Sequence, residues 1–216
     1  MASPESDLGD HPGPPPDLAK RRLHLTRLDS PVFRIFPIQH DPLYFGKRGL
    51  GRWDDPRRRY GVLYAAATPG GAFAERLVVR PGMLAEGIWT RARSVPVSAG
   101  DLQQFGLAEV QLTSPLRCVD LRGPGLAAIE ADARLTSGPH RVSQHWSRPL
   151  FEHPQRPDGI VWRSRADPEE TAVALHERVR PTVSAIVRGR LADPRHADML
   201  EAISARYTLV ILSSTL

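Results

Sequence analysis

The sequence predicts an α+β fold, a single domain of short mixed strands with helices inserted between them. β-prone runs are many and short, and the helical stretches fall among them at irregular intervals. That is unlike the regular alternation of a βαβ sheet. No internal repeat is present. At 216 residues and 41% apolar, the chain is long enough for one domain with a real core and short for two.

Residues 1–22 are rich in Pro, Gly and Asp, with Pro14-Pro15-Pro16 in the middle. Such a segment buries too little to order itself and is expected to be a flexible tail, leaving 23–216 as the domain. Pro31 to Pro37 (PVFRIFP) is a first strand carrying Arg34, and 38–51 is loop, punctuated by Pro42, Gly46, Gly49 and Gly51. Gly61 to Ala67 (GVLYAAA) is a second strand. Thr68 then serves as N-cap and Pro69 as the first helical residue, with the helix ending before Pro81-Gly82.

Strand alternation marks Gly87 to Ser98. Ala108–Thr113 and Leu116–Leu121 read as two strands of a hairpin around Ser114-Pro115. Pro124–Ala133 is a short helix. Arg141–Glu152 is a longer one, with Val142, His145, Trp146 and Leu150 on one face. Asp158–Trp162 (DGIVW) is a buried-type strand, and Thr171–His176 (TAVALH) fits strand or helix. A helix capped by Asp193, with Pro194 in its first turn, runs to Arg206, and Tyr207–Leu212 is a last strand.

The net charge is +5 and the pI about 10.0. All but Lys20 and Lys47 of the 29 basic residues are Arg, scattered apart from Arg57-Arg58-Arg59. One reading of this charge is a basic nucleic-acid-binding module. The low aromatic content, 6%, leaves little for base stacking. Cys118 is the one cysteine, so no intrachain disulfide or cysteine-based metal cluster is possible, which fits a reducing cytoplasm. The N-terminus has no apolar signal core, and no run is long enough to span a membrane. No metal site is expected, because the histidines fall at no ligand spacing.

Three features carry candidate chemistry. The loop GLGRW sets Arg52 behind two glycines, where a backbone can approach a ligand and a guanidinium can grip a phosphate; the same residues also suit a plain surface turn. Glu75 lies in a helix whose neighbours Ala72, Phe73, Ala74, Leu77, Val78 and Val79 cover most of its circumference. A carboxylate there is either paired with an arginine or functional. Ser164 follows a buried strand, where it either faces a cleft or bonds its own backbone in a turn.

These pieces, in their order, resemble the RES-domain family, named for its Arg, Glu and Ser. The residues that carry the resemblance are Phe33-Arg34-Ile35, Gly51-Arg52-Trp53, Leu63-Tyr64, Ala74-Glu75, and Gly159-Ile160 through Ser164. It is strongest over residues 32–178. Leu50 stands where the family has its first Gly, Asp54 where Asn is common, and Asp54–Tyr60 is a charged insertion.

The resemblance implies an ADP-ribosyltransferase-like fold and cleavage of NAD⁺ at the nicotinamide–ribose bond, as a glycohydrolase or phosphorylase. It also implies the toxin role in a bacterial toxin–antitoxin pair, with a helix-turn-helix antitoxin as partner. ADP-ribosylation of a protein is the alternative. NAD⁺ is then a substrate, with no cofactor implied. Glu75 and Arg52 become catalytic candidates, and Arg34, Arg52, Tyr64 and Ser164 substrate-binding ones.

Overall fold

The computed structural model describes residues 11–78 and 95–212. The expected end of the Glu75 helix, and the Gly87–Ser98 strand up to residue 94, lie outside the described residues. The strands are β1 (Leu25–Leu28), β2 (Val32–Pro37), β3 (Val62–Ala66), β4 (Val95–Ser98), β5 (Phe105–Leu112), β6 (Leu116–Asp120), β7 (Gly159–Arg163), β8 (Thr171–His176), β9 (Val183–Arg190) and β10 (Leu209–Leu212). The helices are α1 (Pro69–Phe73), α2 (Ala99–Gln104), α3 (Pro124–Ala128), α4 (Arg134–Ser137), α5 (His140–Phe151) and α6 (Ala197–Tyr207). The arrangement is α+β, as expected. Among the described residues no helix is long and apolar enough to cross a membrane.

Eight strands form one sheet in the order β1-β6-β7-β8-β3-β2-β5-β9, while β4 and β10 pair in parallel as a small second sheet. Within the large sheet only β6 and β7 run parallel. The expected hairpin between the strands around Ser114-Pro115 does not form. Both strands exist, but β5 pairs with β2 and β9, and β6 with β1 and β7.

That short link shapes the sheet. β5 and β6 are five strand positions apart, which in a flat sheet is roughly 24 Å. The four residue steps from Leu112 to Leu116 reach about 14 Å at full extension. The sheet must therefore curl until its two ends approach. Its concave side is filled by one apolar cluster that includes Val110 of β5, Leu116 and Cys118 of β6, and Val183 of β9.

Alternate residues of the central strands face opposite cores. Ile160, Trp162, Ala172 and Ala174 join Trp53, Trp146 and Leu150, whereas Val161, Val173 and Leu175 join the concave cluster. Burial on both faces is why GIVW and TAVALH show no polar alternation, and it settles TAVALH as strand β8. A third cluster packs α1, α2 and α6 on the β2–β5 end, through Phe73, Leu77, Leu102, Leu107 and Ile203.

The chain is already folded before residue 22. Leu18 is 3% exposed and packs with Leu23. The Leu18 carbonyl bonds His153 Nε2 at 3.1 Å, and Trp146 Nε1 donates to the Pro12 carbonyl at 3.3 Å. Residues 11–22 thus pack against α5 (His140–Phe151), where a flexible tail was expected over 1–22, and Arg21 pairs with Glu130 at 2.9 Å.

Candidate active site

Thr68 caps the helix that carries Glu75, accepting from the Gly71 amide at 2.9 Å, with Pro69 as its first residue. The helix does not continue as an α-helix. From Ala74 to Val78 it widens into a π-helical turn, and Glu75 lies in that turn. Such turns recur at functional sites because they displace one side chain from the regular ladder. Gly71, Ala72, Phe73, Ala74 and Leu77 are buried, while Glu75 is half-buried and Arg76 exposed.

Ser164, at the end of β7 (Gly159–Arg163), is 2% exposed and donates its hydroxyl to Glu75 Oε1 at 2.5 Å. Ser164 Oγ in turn accepts the amides of Ala166 and Asp167 at 3.1 and 3.4 Å. Ser164 therefore turns its own loop, one of the two sequence readings, and presents its one proton to the Glu75 carboxylate. Glu75 is held by this hydroxyl, and it feels Arg52 and Arg165 without contact.

Arg52 is 6% exposed, and its Nη1 donates to the Gly138 carbonyl and to Ser143 Oγ, both at 3.0 Å. Burial, and next the charge of Arg165, pull its pKa down to about 10, against the pull of Glu75 and Tyr64. The glycines before it have separate reasons. Gly49 adopts φ +74°, and a Cβ on Gly51 would collide with the Tyr64 hydroxyl and ring.

Tyr64 is tied to that loop. Its hydroxyl donates to Asp54 Oδ1 and accepts the Trp53 amide, both at 2.8 Å. Asp54 Oδ2 gathers the Leu50 and Gly51 amides at 3.0 and 2.9 Å. Burial, then Asp54, raise the Tyr64 pKa well above the usual range. The phenol proton is thus engaged, leaving the ring as the part of Tyr64 that can meet a ligand.

The structure brings Arg52, Tyr64, Glu75 and Ser164 to one place. Arg34 stands apart: its Nη1 donates to the Tyr44 carbonyl at 3.0 Å, and its charged neighbours are Arg76 and Asp41. Burial and the Arg76 charge lower its pKa to about 10. Arg76, its charged neighbour, is the residue after Glu75.

Several residues of the cluster escaped the sequence reading. The polar stripe of α5 clamps the GLGRW loop: His140 Nδ1 meets the Leu50 carbonyl at 3.0 Å, and Gln144 Nε2 donates to the Gly49 and Gly51 carbonyls at 3.0 and 2.9 Å. Ser147 Oγ donates to the Trp53 carbonyl at 2.5 Å. The signal was present, since His140, Ser143, Gln144 and Ser147 share one helix face. Asp54 and Arg165 were also missed; Arg165 is lowered in pKa by burial, and its Nε is buried with no partner among the described residues.

The basic run gains a partner. Asp55, 1% exposed, accepts the Arg57 and Arg59 amides at 3.1 and 3.0 Å and pairs with Arg59 Nε at 2.9 Å. Among the described residues, one open groove of about 450 Å³ is lined by Asp41, Tyr44 and Glu177 among others, and another of about 400 Å³ lies beside Leu102 and Leu200. Glu75, Arg52 and Ser164 line neither of these two grooves. Among the described residues no three His, Cys, Asp or Glu gather as metal ligands would.

Comparison with known proteins bears on the family of the chain. The family model described as the RES domain matches residues 25–198, which include Arg34, Arg52, Tyr64, Glu75 and Ser164. A protein of Sinorhizobium fredii named "Probable toxin y4kH" is 35% identical over 104 residues, covering 47% of this chain and 80% of that protein. The crystal structure of the M. tuberculosis MbcT–MbcA toxin–antitoxin complex matches in fold with a TM-score of 0.55. The match has 15% identity and covers 80% of this chain and 92% of that one. The span of the family match and the relative from S. fredii together show that this chain belongs to the RES domain family.

Proposed function

We propose that this protein is an NAD⁺-cleaving enzyme that breaks the nicotinamide–ribose bond and acts in the cytoplasm as the toxin of a toxin–antitoxin pair. The observation that carries the reading is the Ser164–Glu75 hydrogen bond at 2.5 Å in a turn flanked by two arginines. Breaking the bond leaves positive charge on the ribose carbon and ring oxygen, as in other glycoside cleavages. A preoriented carboxylate beside that centre stabilises the charge as it develops. Glu75 is that carboxylate, and Ser164 fixes its orientation.

Nicotinamide leaves as a neutral molecule from a cationic bond, so no general acid is required. The substrate's diphosphate suits guanidinium forks. Arg52 uses Nη1 on Gly138 and Ser143, which leaves its other N–H groups to donate. Arg34 would hold a more distant phosphate, and the Tyr64 ring would pack against the nicotinamide. Water or phosphate takes the ribosyl group; a protein side chain would make the enzyme an ADP-ribosyltransferase. The relative MbcT is named in complex with an antitoxin, MbcA, and a protein antitoxin of helix-turn-helix type is the partner proposed here.

The test is NAD⁺ consumption by the purified chain, with and without phosphate, followed by product identification. Free ADP-ribose marks hydrolysis, its phosphorylated form phosphorolysis, and label on protein transfer. NAD⁺ left intact under all conditions would sink the reading.

A further inference from the structure

Residues 199–212 lie beyond the family match, which stops at 198, yet they reach the loop that begins at Ser164. Arg206, in the last turn of α6 (Ala197–Tyr207), donates from Nε to Asp167 Oδ2 at 2.7 Å, and its Nη2 lies 2.6 Å from the same oxygen. Tyr207 donates its hydroxyl to that oxygen at 2.9 Å. Arg206 Nη2 also reaches Glu169 at 3.0 Å. The other Asp167 oxygen accepts the Glu169 amide at 3.0 Å.

Asp167 sits within a loop tied at both ends to the candidate site. Its own amide is one of the two that bond Ser164 Oγ. The Ser164 amide donates to the Glu170 carbonyl and the Glu170 amide to the Asp167 carbonyl, both at 2.9 Å. The Glu170 carboxylate accepts from Thr68 Oγ1 at 2.7 Å, and Thr68 is the cap of the helix that carries Glu75. One loop thus touches that helix at its cap and at its carboxylate, and α6 grips the loop between the two. α6 is anchored independently, with Ile203 5% exposed in the cluster that holds Phe73 and Leu77.

We propose that Asp167, held by Arg206 and Tyr207, is a positioning residue that keeps Ser164 aimed at Glu75. The C-terminal helix is then a working part of the site. This rests on the reading of Glu75 and Ser164 as the reaction centre. An ordinary surface ion pair would contribute little, but Asp167 is 9% exposed and one of its oxygens takes a fork and a directional tyrosine hydroxyl. Charge-assisted bonds of that kind are the stronger class.

The experiment uses the full chain with Arg206→Ala, Arg206→Lys and Tyr207→Phe. It reads amide hydrogen exchange by segment, NAD⁺ turnover and thermal unfolding. Arg206→Ala is expected to speed exchange in 164–170 roughly tenfold, the loss of one charge-assisted bond, with β7 and β8 unchanged. It should lower kcat about tenfold with KM within about twofold, since an orientation effect appears in the transition state. Tyr207→Phe should act in the same direction more weakly, and Arg206→Lys should recover part of the loss by keeping the charge without the fork.

Exchange in 164–170 that stays at the wild-type rate in Arg206→Ala would overturn the proposal. So would faster exchange spread over the whole chain with no recovery in Arg206→Lys, because that marks a merely structural role. A wild-type protein inert toward NAD⁺ would count against the reaction proposed above. The exchange measurement would then decide the role of Asp167 by itself.

Discussion

The Tyr64 hydroxyl donates to Asp54 at 2.8 Å while Asp54 gathers the Leu50 and Gly51 amides. A strand and a glycine loop are joined there through one buried carboxylate. Tyr64→Phe removes the donor to Asp54 and the acceptor of the Trp53 amide together. Leaving buried polar groups unpaired costs about 1–3 kcal/mol each. The variant is expected to lose stability by an amount in that range, seen as a lower urea midpoint, and to bind substrate less well because Arg52 sits in the loosened loop. An unchanged midpoint would count against the linkage.

Glu75→Gln keeps the shape of the side chain and an oxygen for the Ser164 proton, so stability should change by less than about 1 kcal/mol. Turnover of NAD⁺ should fall by roughly 10²–10³, the cost typical of losing a stabiliser of transition-state charge. Ser164→Ala should cost less, because it frees the carboxylate without removing it. Steady-state kinetics on folded variants measure both.

Gly51→Ala and Gly100→Ala should separate. A Cβ on Gly51 runs into the Tyr64 hydroxyl and ring, whereas one on Gly100 meets, among the described residues, only Ser98 Oγ at 3.6 Å. The first is expected to cost about 1–3 kcal/mol through overpacking. The second lies in α2 (Ala99–Gln104) and should be neutral or stabilising by up to about 1 kcal/mol. Thermal melts of the pair decide it.

His176 gives a pH dependence. It is fully buried between Tyr60 and Phe151. Burial pulls its pKa from 6.5 to about 4, opposed by the Pro157 carbonyl and aided by Arg178. The unfolded chain takes up the proton first, so the contribution is present above the unfolded pKa and is lost as pH falls from 6.5 to about 4. At 1.36 kcal/mol per pH unit it amounts to about 3 kcal/mol. His176→Phe should flatten the stability curve in that window, measured by urea unfolding across pH.

Much of the local structure was legible because its causes are local. Thr68-Pro69 starts a helix through a side-chain cap and a fixed φ, and Asp193-Pro194 does the same through a cap on the Arg195 amide. The strands 32–37 and 62–66 follow from β-prone runs bounded by turns. β1 (Leu25–Leu28) and β9 (Val183–Arg190) were not foreseen. Both are edge strands with weak burial patterns, so the period-2 signal that marks a strand is faint in them.

The sequence by itself determined the α+β class, the capped start of the Glu75 helix, and a set of site residues in the order of the RES domain family. Those depend on neighbours in the chain and on residue type. The tertiary structure decided that β5 and β6 part rather than pair, because the sheet curls to bury a core on its concave side. It also decided that Ser164 meets Glu75, that Asp54 and the polar stripe of α5 hold the Arg52 loop, and that α6 grips the Ser164 turn. Each of those contacts joins side chains far apart in sequence, and no local propensity encodes which buried donor will find which acceptor.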